Sequence, residues 1–488
     1  MSANIAEREG AFTMQSSPSS NRRSGVQRRS WRNALFGSVA MGLCLGFAAQ
    51  MPAASQTMTE ALALAYETNP VLEAQRARLR ETDETMAQAL SGWRPRVVVT
   101  GDIGKTTTDS EQFGGTNIGS TNTRTPSRAT LQVTQPVYRG GRTIADTERA
   151  EANIQAQRGQ LFSTEQQVLL EAATAYMNVI RDEAILELRI NNVQRLERQL
   201  GATKDQFNVG EVTRTDVAQS DARLSQSRAD RVAAEGALAA SREQFAQVVG
   251  VQPARLTEPN IDFTTPTDRE AVVADAAAYN PNVIAQRYTV EAFKAQTRLI
   301  KGELLPEVSL VGEVSRFENQ QLRDSRTDEA SIFANVRIPL YEAGSVSSRV
   351  RQSKESESRA YSALEDARRT AVSNGASSYE NLLAARARID ALLDVIQAAE
   401  IALEGVQEEA KVGSRTILDI LDAEQELLNG QVNLVVAQRD EVVRRLEVLS
   451  AVGRLTARDL ELPVTIYDFE THYRETRGKW WGLGVANE

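Results

Sequence analysis

Two segments of the chain run without proline for an unusual length, from Gly141 to Val209 and from Gly344 to Val412. Alanine, glutamate, glutamine, arginine and leucine dominate both segments, and these residues favour helix. At about 1.5 Å per residue, a helix of roughly 68 residues reaches about 100 Å. Because a helix of that length extends far beyond any compact core, it needs a partner helix along its length.

The second long segment contains a heptad seam. Its apolar residues recur at alternating steps of three and four, the spacing that lines one side of a coiled coil. They are Leu382, Ala385, Ile389, Leu392, Ile396, Ala399, Leu403 and Val406. We expect the partner to be the following segment, Thr416 to Leu449, which also has apolar residues along one side. The turn between them contains Gly413, which supplies the conformation that a helix end prefers.

The long segments belong to an internal duplication. Asn69-Pro70 recurs 211 residues later as Asn280-Pro281, and the stretch 135–141 recurs 203 residues later as 338–344. The offset of 203 then holds to the end of each copy. The first copy therefore has eight additional residues near its start, and we place them in the stretch 105–127, whose Thr, Ser, Asn and Gly content is typical of a solvated surface loop.

Two stretches in each copy have the period-two pattern of a strand. The clearest is Ser331–Tyr341, where apolar residues alternate with mostly polar ones, and Arg96–Ile103, Ala129–Val137 and Val308–Phe317 give weaker versions. Such strands suit a sheet with one lipid-facing side and one wet side, although a soluble hairpin has the same pattern. Each copy thus reads as strand, loop, strand, long helix, glycine turn and returning helix.

The N-terminus predicts a secretory signal peptide over residues 1–55, with arginines before an apolar run that ends near small residues. We then expect repeat 1 over 56–265, repeat 2 over 266–462 and a C-terminal tail over 463–488. The predicted strands are 95–104, 128–138, 306–318 and 330–341, and the predicted long helices are 142–208, 214–249, 345–411 and 416–452. The tail could wrap the middle of the assembly or be disordered.

Composition argues against several functional classes. The net charge of −9 gives no basic face for nucleic acid, and His472 is the only histidine. The only cysteine, Cys44, lies within the predicted signal, and the chain has no Walker-type or dinucleotide glycine loop. We therefore expect no enzyme, no cofactor and no metal site.

Four strands cannot close a barrel, and lipid does not tolerate an open sheet edge. If the strands lie in a membrane, oligomerisation is required. Three chains would supply 12 strands, an even number within the range of bacterial barrels.

Three motifs together closely resemble the TolC family of outer-membrane channel-tunnels. They are Gln135-Pro136-Val137-Tyr138-x-Gly140-Gly141, Phe207-Asn208-Val209-Gly210-x-Val212-x-x-Thr215-Asp216-Val217, and the run from Val412-Gly413-Ser414-Arg415 to Ala423. The resemblance implies an α+β membrane protein: a homotrimer with a 12-stranded outer-membrane β-barrel, four strands per chain, continuous with a long periplasmic α-helical barrel. It implies an exit duct for efflux or type I secretion, working with a periplasmic adaptor and an inner-membrane ABC or proton-driven transporter.

The resemblance also implies roles for residues at the glycine turns. Asp419 and Asp422 share a helix face and match the family's selectivity constriction, where converging carboxylates should attract cations and protons. A solvated helix face is the alternative interpretation.

Asp216 and Arg415 match positions that hold the tip closed. Well-known members have a tyrosine where this chain has Ala410, so one expected latch contact is absent.

The turn residues are candidates for adaptor contact, or they only end their helices. They are Val209, Gly210, Val412 and Gly413. A periplasmic coiled-coil adaptor or scaffold is the alternative function; it would explain the helices but not the duplicated strand pairs.

Overall fold

A computed structural model of the chain describes residues 56–110, 120–259, 266, 268–320 and 324–484. The predicted signal peptide, 1–55, lies outside the described residues. In the first repeat the elements are α1 (Met58–Thr68), α2 (Pro70–Leu90), β1 (Arg96–Ile103), β2 (Thr106–Ser110), β3 (Ser120–Arg124), β4 (Ser127–Arg139), α3 (Arg142–Asn208) and α4 (Arg214–Val249).

The second repeat has the same order of principal elements. They are α5 (Arg269–Tyr279), α6 (Pro281–Lys301), β5 (Glu307–Glu318), β6 (Arg326–Arg337), α7 (Ser345–Lys411) and α8 (Ile417–Ala451), and α9 (Phe469–Gly478) follows in the tail. The expected α+β fold with an internal duplication is confirmed. No described helix is both long enough and apolar enough to cross a membrane.

The principal sheet is antiparallel, with the order β1-β4-β5-β6. The two repeats therefore meet at the β4–β5 pair, and within the described part of the chain β1 and β6 each pair on one side only. A proline within β4, Pro136, is accommodated by a register shift between Pro136 and Tyr138. A bulge of this kind lets the strand continue past a residue that lacks an N–H.

The structure corrects two expectations about the strands. The stretch 105–127 is not only a loop, because β2 and β3 form a second antiparallel pair within it. The strand predicted to reach Tyr341 ends at Arg337. Arg337 pairs with Glu307, the first residue of β5, so within the described part of the chain the residues just beyond Arg337 face no further residue of β5, and Pro339 lacks an N–H to donate.

The helices α7 and α8 pack as an antiparallel pair, and α3 and α4 do the same. Along α7 the eight seam residues are buried or half-buried, whereas most of their neighbours are exposed. At the seam the side chain of Ile396 would lie 3.2 Å from a Cβ at Gly430, so the helices approach closely there. The seam is therefore the line along which α7 meets its partner.

An asparagine closes the equivalent joint in both repeats. Asn69 ends α1 and caps α2: its Oδ1 accepts from the Val71 N–H at 2.9 Å, and its Nδ2 donates to the Val248 carbonyl at 3.0 Å. Asn280 joins α5 to α6 in the same way and donates to the Ala451 carbonyl at 3.1 Å. Each asparagine thus fastens the start of its repeat to the end of the returning helix.

The helix α9 of the C-terminal tail packs against α2. The Nδ1 of His472 lies 2.8 Å from Oδ2 of Asp83 in α2, and both side chains are buried. Arg158 of α3 donates to Glu470 at 2.7 Å and stacks over Phe469. The described part of the tail therefore packs against α2 and α3, and its position in an assembly stays a prediction.

Candidate functional site

The candidate site is the pair of helical tips, where each long helix turns back. Gly210 and Gly413 have φ of 82° and 79°, the left-handed conformation that favours glycine. The Glu211 N–H donates to Gln206 O at 2.9 Å, and the Ser414 N–H donates to Glu409 O at 3.0 Å. The two tips therefore share one backbone design.

A capping box starts the returning helix at each tip. At the first tip, Oδ2 of Asp216 accepts from the N–H and hydroxyl of Thr213 at 2.8 and 2.7 Å. At the second tip, Oδ2 of Asp419 accepts from the N–H and hydroxyl of Thr416 at 2.9 and 2.8 Å. Asp216 and Asp419 thus have the same local structural role in the two repeats.

The cap determines the acidity of Asp419. Hydrogen bonds from Thr416, with a smaller contribution from the nearby Arg415, lower the pKa of the Asp419 carboxyl. This direction is opposite to the one expected for a ring of converging carboxylates. Within one protomer, the cap therefore holds Asp419 in its charged form.

Asp422 has a different environment, since it reaches across to the other hairpin. Its Oδ1 accepts a hydrogen bond from Nη2 of Arg223 in α4 at 2.6 Å. Sequence reasoning missed Arg223, although a signal was present: the repeat offset aligns Arg223 with Glu426, a reversal of charge.

The structure gives the two predicted latch residues separate local partners. Nε of Arg415 donates to Oε2 of Glu409 at 2.7 Å, across the turn between α7 and α8. Asp216 is held in its own cap. A latch that joins these two residues in an assembly stays a prediction.

The predicted contact residues at the tips are exposed. Val209 and Val412 have 72% and 81% of their surface accessible, which is unusual for valine. A Cβ placed on Gly210 or Gly413 would meet no described atom within 4 Å. Each tip therefore presents an apolar side chain beside open backbone.

At the other end of the molecule, the principal sheet has one apolar face. Neighbouring strands align Val99 with Leu131, Leu131 with Val314, and Val314 with Ala330. The opposite face carries polar side chains, including Thr130 and Ser315, whose hydroxyls lie 3.0 Å apart. This face arrangement suits a sheet with lipid on one side and water on the other.

The amphipathic sheet, whose outer strands β1 and β6 each pair on one side only among the described residues, leads into two helices of 67 residues. Each of these helices is paired with a shorter returning helix, and this architecture suits a subunit of a membrane channel. A model described as outer membrane efflux protein matches residues 61–251 and 272–454. The chain therefore belongs to the outer membrane efflux protein family.

Two relatives and one solved structure illustrate the similarity. The chain is 36% identical to outer membrane efflux protein BepC of Brucella suis over 437 residues, which cover 88% of this chain and 92% of the relative. It is 29% identical to outer membrane protein TolC of Escherichia coli, covering 68% and 70% of the two chains. The crystal structure of the outer membrane protein VceC from Vibrio cholerae has a TM-score of 0.71 at 21% identity, covering 81% and 96%.

These findings establish the class and location of the protein. It is an outer-membrane protein with a long periplasmic helical part, and it acts as an exit duct. The family consists of channel proteins, which are not enzymes. The alternative of a periplasmic adaptor or scaffold is not favoured, because the matches are to outer-membrane channels.

Proposed function

We propose that three copies of the chain form one continuous duct, which carries substrates from an inner-membrane transporter across the periplasm and the outer membrane. The observation that carries the trimer is the amphipathic sheet, whose β1 and β6 edges pair on one side only within the described residues. Unpaired backbone groups at such edges are costly in lipid. Pairing β1 of one chain with β6 of the next satisfies both edges and closes a ring of 12 strands.

The tips are the proposed site of adaptor docking. Val209 and Val412 offer apolar contacts, and the exposed glycines let another helical hairpin approach the backbone. The transporter is of the ABC or proton-driven type, and the cargo is a protein or a small molecule selected by that transporter.

Asp419 and Asp422 are the proposed aperture, and threefold symmetry would repeat this pair around the axis. Asp216 and Arg415 are the proposed latch between neighbouring tips. Arg415 and Asp422 are exposed and Asp216 and Asp419 are half-buried, which suits contacts that break when the duct opens.

Paired cysteines test the assembly, because Cys44 is the only natural cysteine and lies in the predicted signal peptide. Thr100→Cys on β1 is combined in turn with Glu329→Cys, Ser331→Cys and Phe333→Cys on β6; all four positions lie on the same face of the sheet. We expect one combination to give disulfide-linked trimers in isolated outer membranes, read by non-reducing electrophoresis.

Each single-cysteine variant is the matched control and should stay unlinked, because β1 faces β6 rather than another β1. Monomers from every combination, or linked species of another size, would contradict the trimer with this edge pairing.

A further inference from the structure

A contact between the two helical hairpins of one chain involves a residue outside the tip motifs. The hairpins α3–α4 and α7–α8 pack more extensively within themselves than against each other, and between them α3 contacts α8 more than α4 does. Near the tips, the hydrogen-bonded ion pair of Arg223 and Asp422 joins α4 to α8. Any motion that separates one hairpin from the other must break this pair.

Buried neighbours place the two side chains opposite each other. Leu224 and Leu421, each adjacent in sequence to one member of the pair, are 4% and 2% exposed and belong to one apolar cluster with Val193, Leu196 and Leu200. The ion pair lies at the rim of this cluster, with side chains 41% and 56% exposed. The cluster fixes the register of α4 against α8, while the ion pair itself stays accessible to water.

Two other carboxylates near this ion pair are engaged elsewhere, whereas Glu424 of α8, which lines the same small pocket as Arg223, has a buried Oε2 without a hydrogen-bond partner among the described residues. Asp230 lies about two turns beyond Arg223 on α4. Its carboxylate accepts a hydrogen bond from Arg189 of α3 at 3.2 Å. Asp419, the other aperture carboxylate, accepts from its own capping threonine. Asp422 is thus the aperture carboxylate whose charge is compensated by the other hairpin.

The duplication does not produce this ion pair twice. At the offset of 203, Arg223 corresponds to Glu426 and Asp422 corresponds to Gln219. The mirrored contact, from residue 426 to residue 219, would therefore join a carboxylate to an amide and could not form an ion pair. The cation of the ion pair therefore comes only from repeat 1 and the anion only from repeat 2.

We propose that Arg223 is a gating and selectivity residue. In the closed state its guanidinium holds α4 to α8 and offsets the charge of Asp422, so Asp419 contributes most of the negative charge at the aperture. When the hairpins separate, Asp422 loses its partner and its carboxylate is exposed to the aperture. Opening the duct and increasing its preference for cations are then one event.

The modest strength of the contact suits this role. Exposed ion pairs are weak because water competes for both partners. A weak pair can be displaced by a docking partner, whereas a buried pair would hold the gate shut. Arg223 therefore biases the gate toward closure without fixing it there.

The test uses full-length protein in planar bilayers, and it rests on the proposed aperture. Arg223→Gln is expected to raise single-channel conductance and to raise the cation-over-anion permeability ratio, measured from reversal potentials in a KCl gradient, by about two- to fivefold. Arg223→Lys keeps the charge and should stay close to the wild type in permeability ratio.

Arg228→Gln is the matched control. Arg228 is another exposed arginine of α4, but it pairs with Glu197 of α3 at 2.8 Å, within its own hairpin. This control should leave both readings unchanged.

A double variant distinguishes this inference from the aperture assignment. Asp422→Asn breaks the same contact, so it should raise single-channel conductance while lowering the permeability ratio, and adding Arg223→Gln to it should raise the conductance no further. An unchanged ratio in Arg223→Gln while Asp422→Asn has its effect would overturn the role of Arg223 alone. A further rise in conductance when Arg223→Gln is added to Asp422→Asn would also overturn it. A wild-type protein that forms no conducting pore would overturn the proposed duct itself.

Discussion

The two repeats match closely at the joint where their short helices meet the end of the returning helix, and they differ at their tips. At the joint between short and long helices, Asn69 and Asn280 make the same contacts, and Gly250 and Gly453 have φ of 88° and 80° at matching positions. At the tips the backbone and the capping boxes are the same, but the charges are not.

Charged contacts at the second tip have no equivalent in the first. The pair Arg415–Glu409 corresponds to Val212 and Gln206, which cannot form an ion pair. The comparison teaches that the duplicated joint preserves the fold, whereas repeat-specific charges at the tips carry the proposed gate. If so, altering the joint should affect folding, and altering the tip charges should affect conduction.

The largest effect is expected at the joint. In Gly453→Ala, the new Cβ would lie 2.4 Å from the Tyr279 carbonyl oxygen at a φ of 80°. Because backbone strain and a backbone clash add, we expect a loss of about 3–5 kcal/mol in the free energy of unfolding. Urea unfolding of the purified protein in detergent, followed by far-UV circular dichroism, measures it.

Two further glycine variants sharpen this result. Gly250→Ala meets only the Thr68 hydroxyl, at 3.1 Å, so it should cost about 1–3 kcal/mol from the positive φ alone. Gly201→Ala, in open space on α3, should slightly stabilise the protein. Equal losses at Gly453 and Gly250 would show that the close approach to Tyr279 contributes nothing.

The double variant Asp419→Ala with Asp422→Ala should affect folding less than Gly453→Ala does. Its clear effect should be on conduction. Removing both carboxylates should lower the cation-over-anion permeability ratio and weaken block by divalent cations. The matched double variant, Asp216→Ala with Gln219→Ala, loses the same cap in repeat 1 but keeps both aperture carboxylates, so it should keep its preference for cations. Equal selectivity in the two double variants would reject the aperture assignment.

The contribution of Asp419 to selectivity should depend on pH in a defined way. Since its hydrogen bonds lower the pKa of Asp419 below the ordinary value of 3.8, its stabilising cap is present above pH 3.8 and is lost only as pH falls through the lower folded-state value. Asp419 should therefore remain charged, and its share of the selectivity should persist, in mildly acidic solution.

The smallest effect on stability is expected for Arg415→Ser. The ion pair with Glu409 is exposed and water competes for both partners, so its loss should leave the free energy of unfolding almost unchanged. Single-channel conductance or antibiotic sensitivity should nevertheless rise if Arg415 restrains the tip. Glu409→Gln removes only the partner within the chain: an effect confined to Arg415→Ser would favour the latch to Asp216, whereas no effect in either variant would count against any latch.

The fold could be predicted because its main constraints are local or repeated. Freedom from proline over long segments, glycines at the turns and the duplication indicated the paired helices. The end of β6 could not be predicted from alternation, which continues to Leu340, because the end depends on where the neighbouring strand begins. The hairpin of β2 and β3 was also missed, since polar, Thr-rich strands resemble a loop in composition.

The candidate site was only partly predictable. Spacing places Asp419 and Asp422 on one helix face, but it does not indicate that one is held by its own cap and the other by a residue 199 positions away. Arg223 lies in a helix rich in charged residues, so no local pattern separates it from its neighbours. Its role depends on the packing of two hairpins, which a single segment does not encode.

The open edges of the four-stranded sheet have a thermodynamic consequence. If β1 and β6 find partners only in other copies, insertion into the membrane and association are one reaction. The stability of the chain then depends on how many copies are present, and no fixed free energy of folding belongs to a single copy. When two versions of the chain are made together, they should also share assemblies, so a defective copy would impair ducts that contain sound ones.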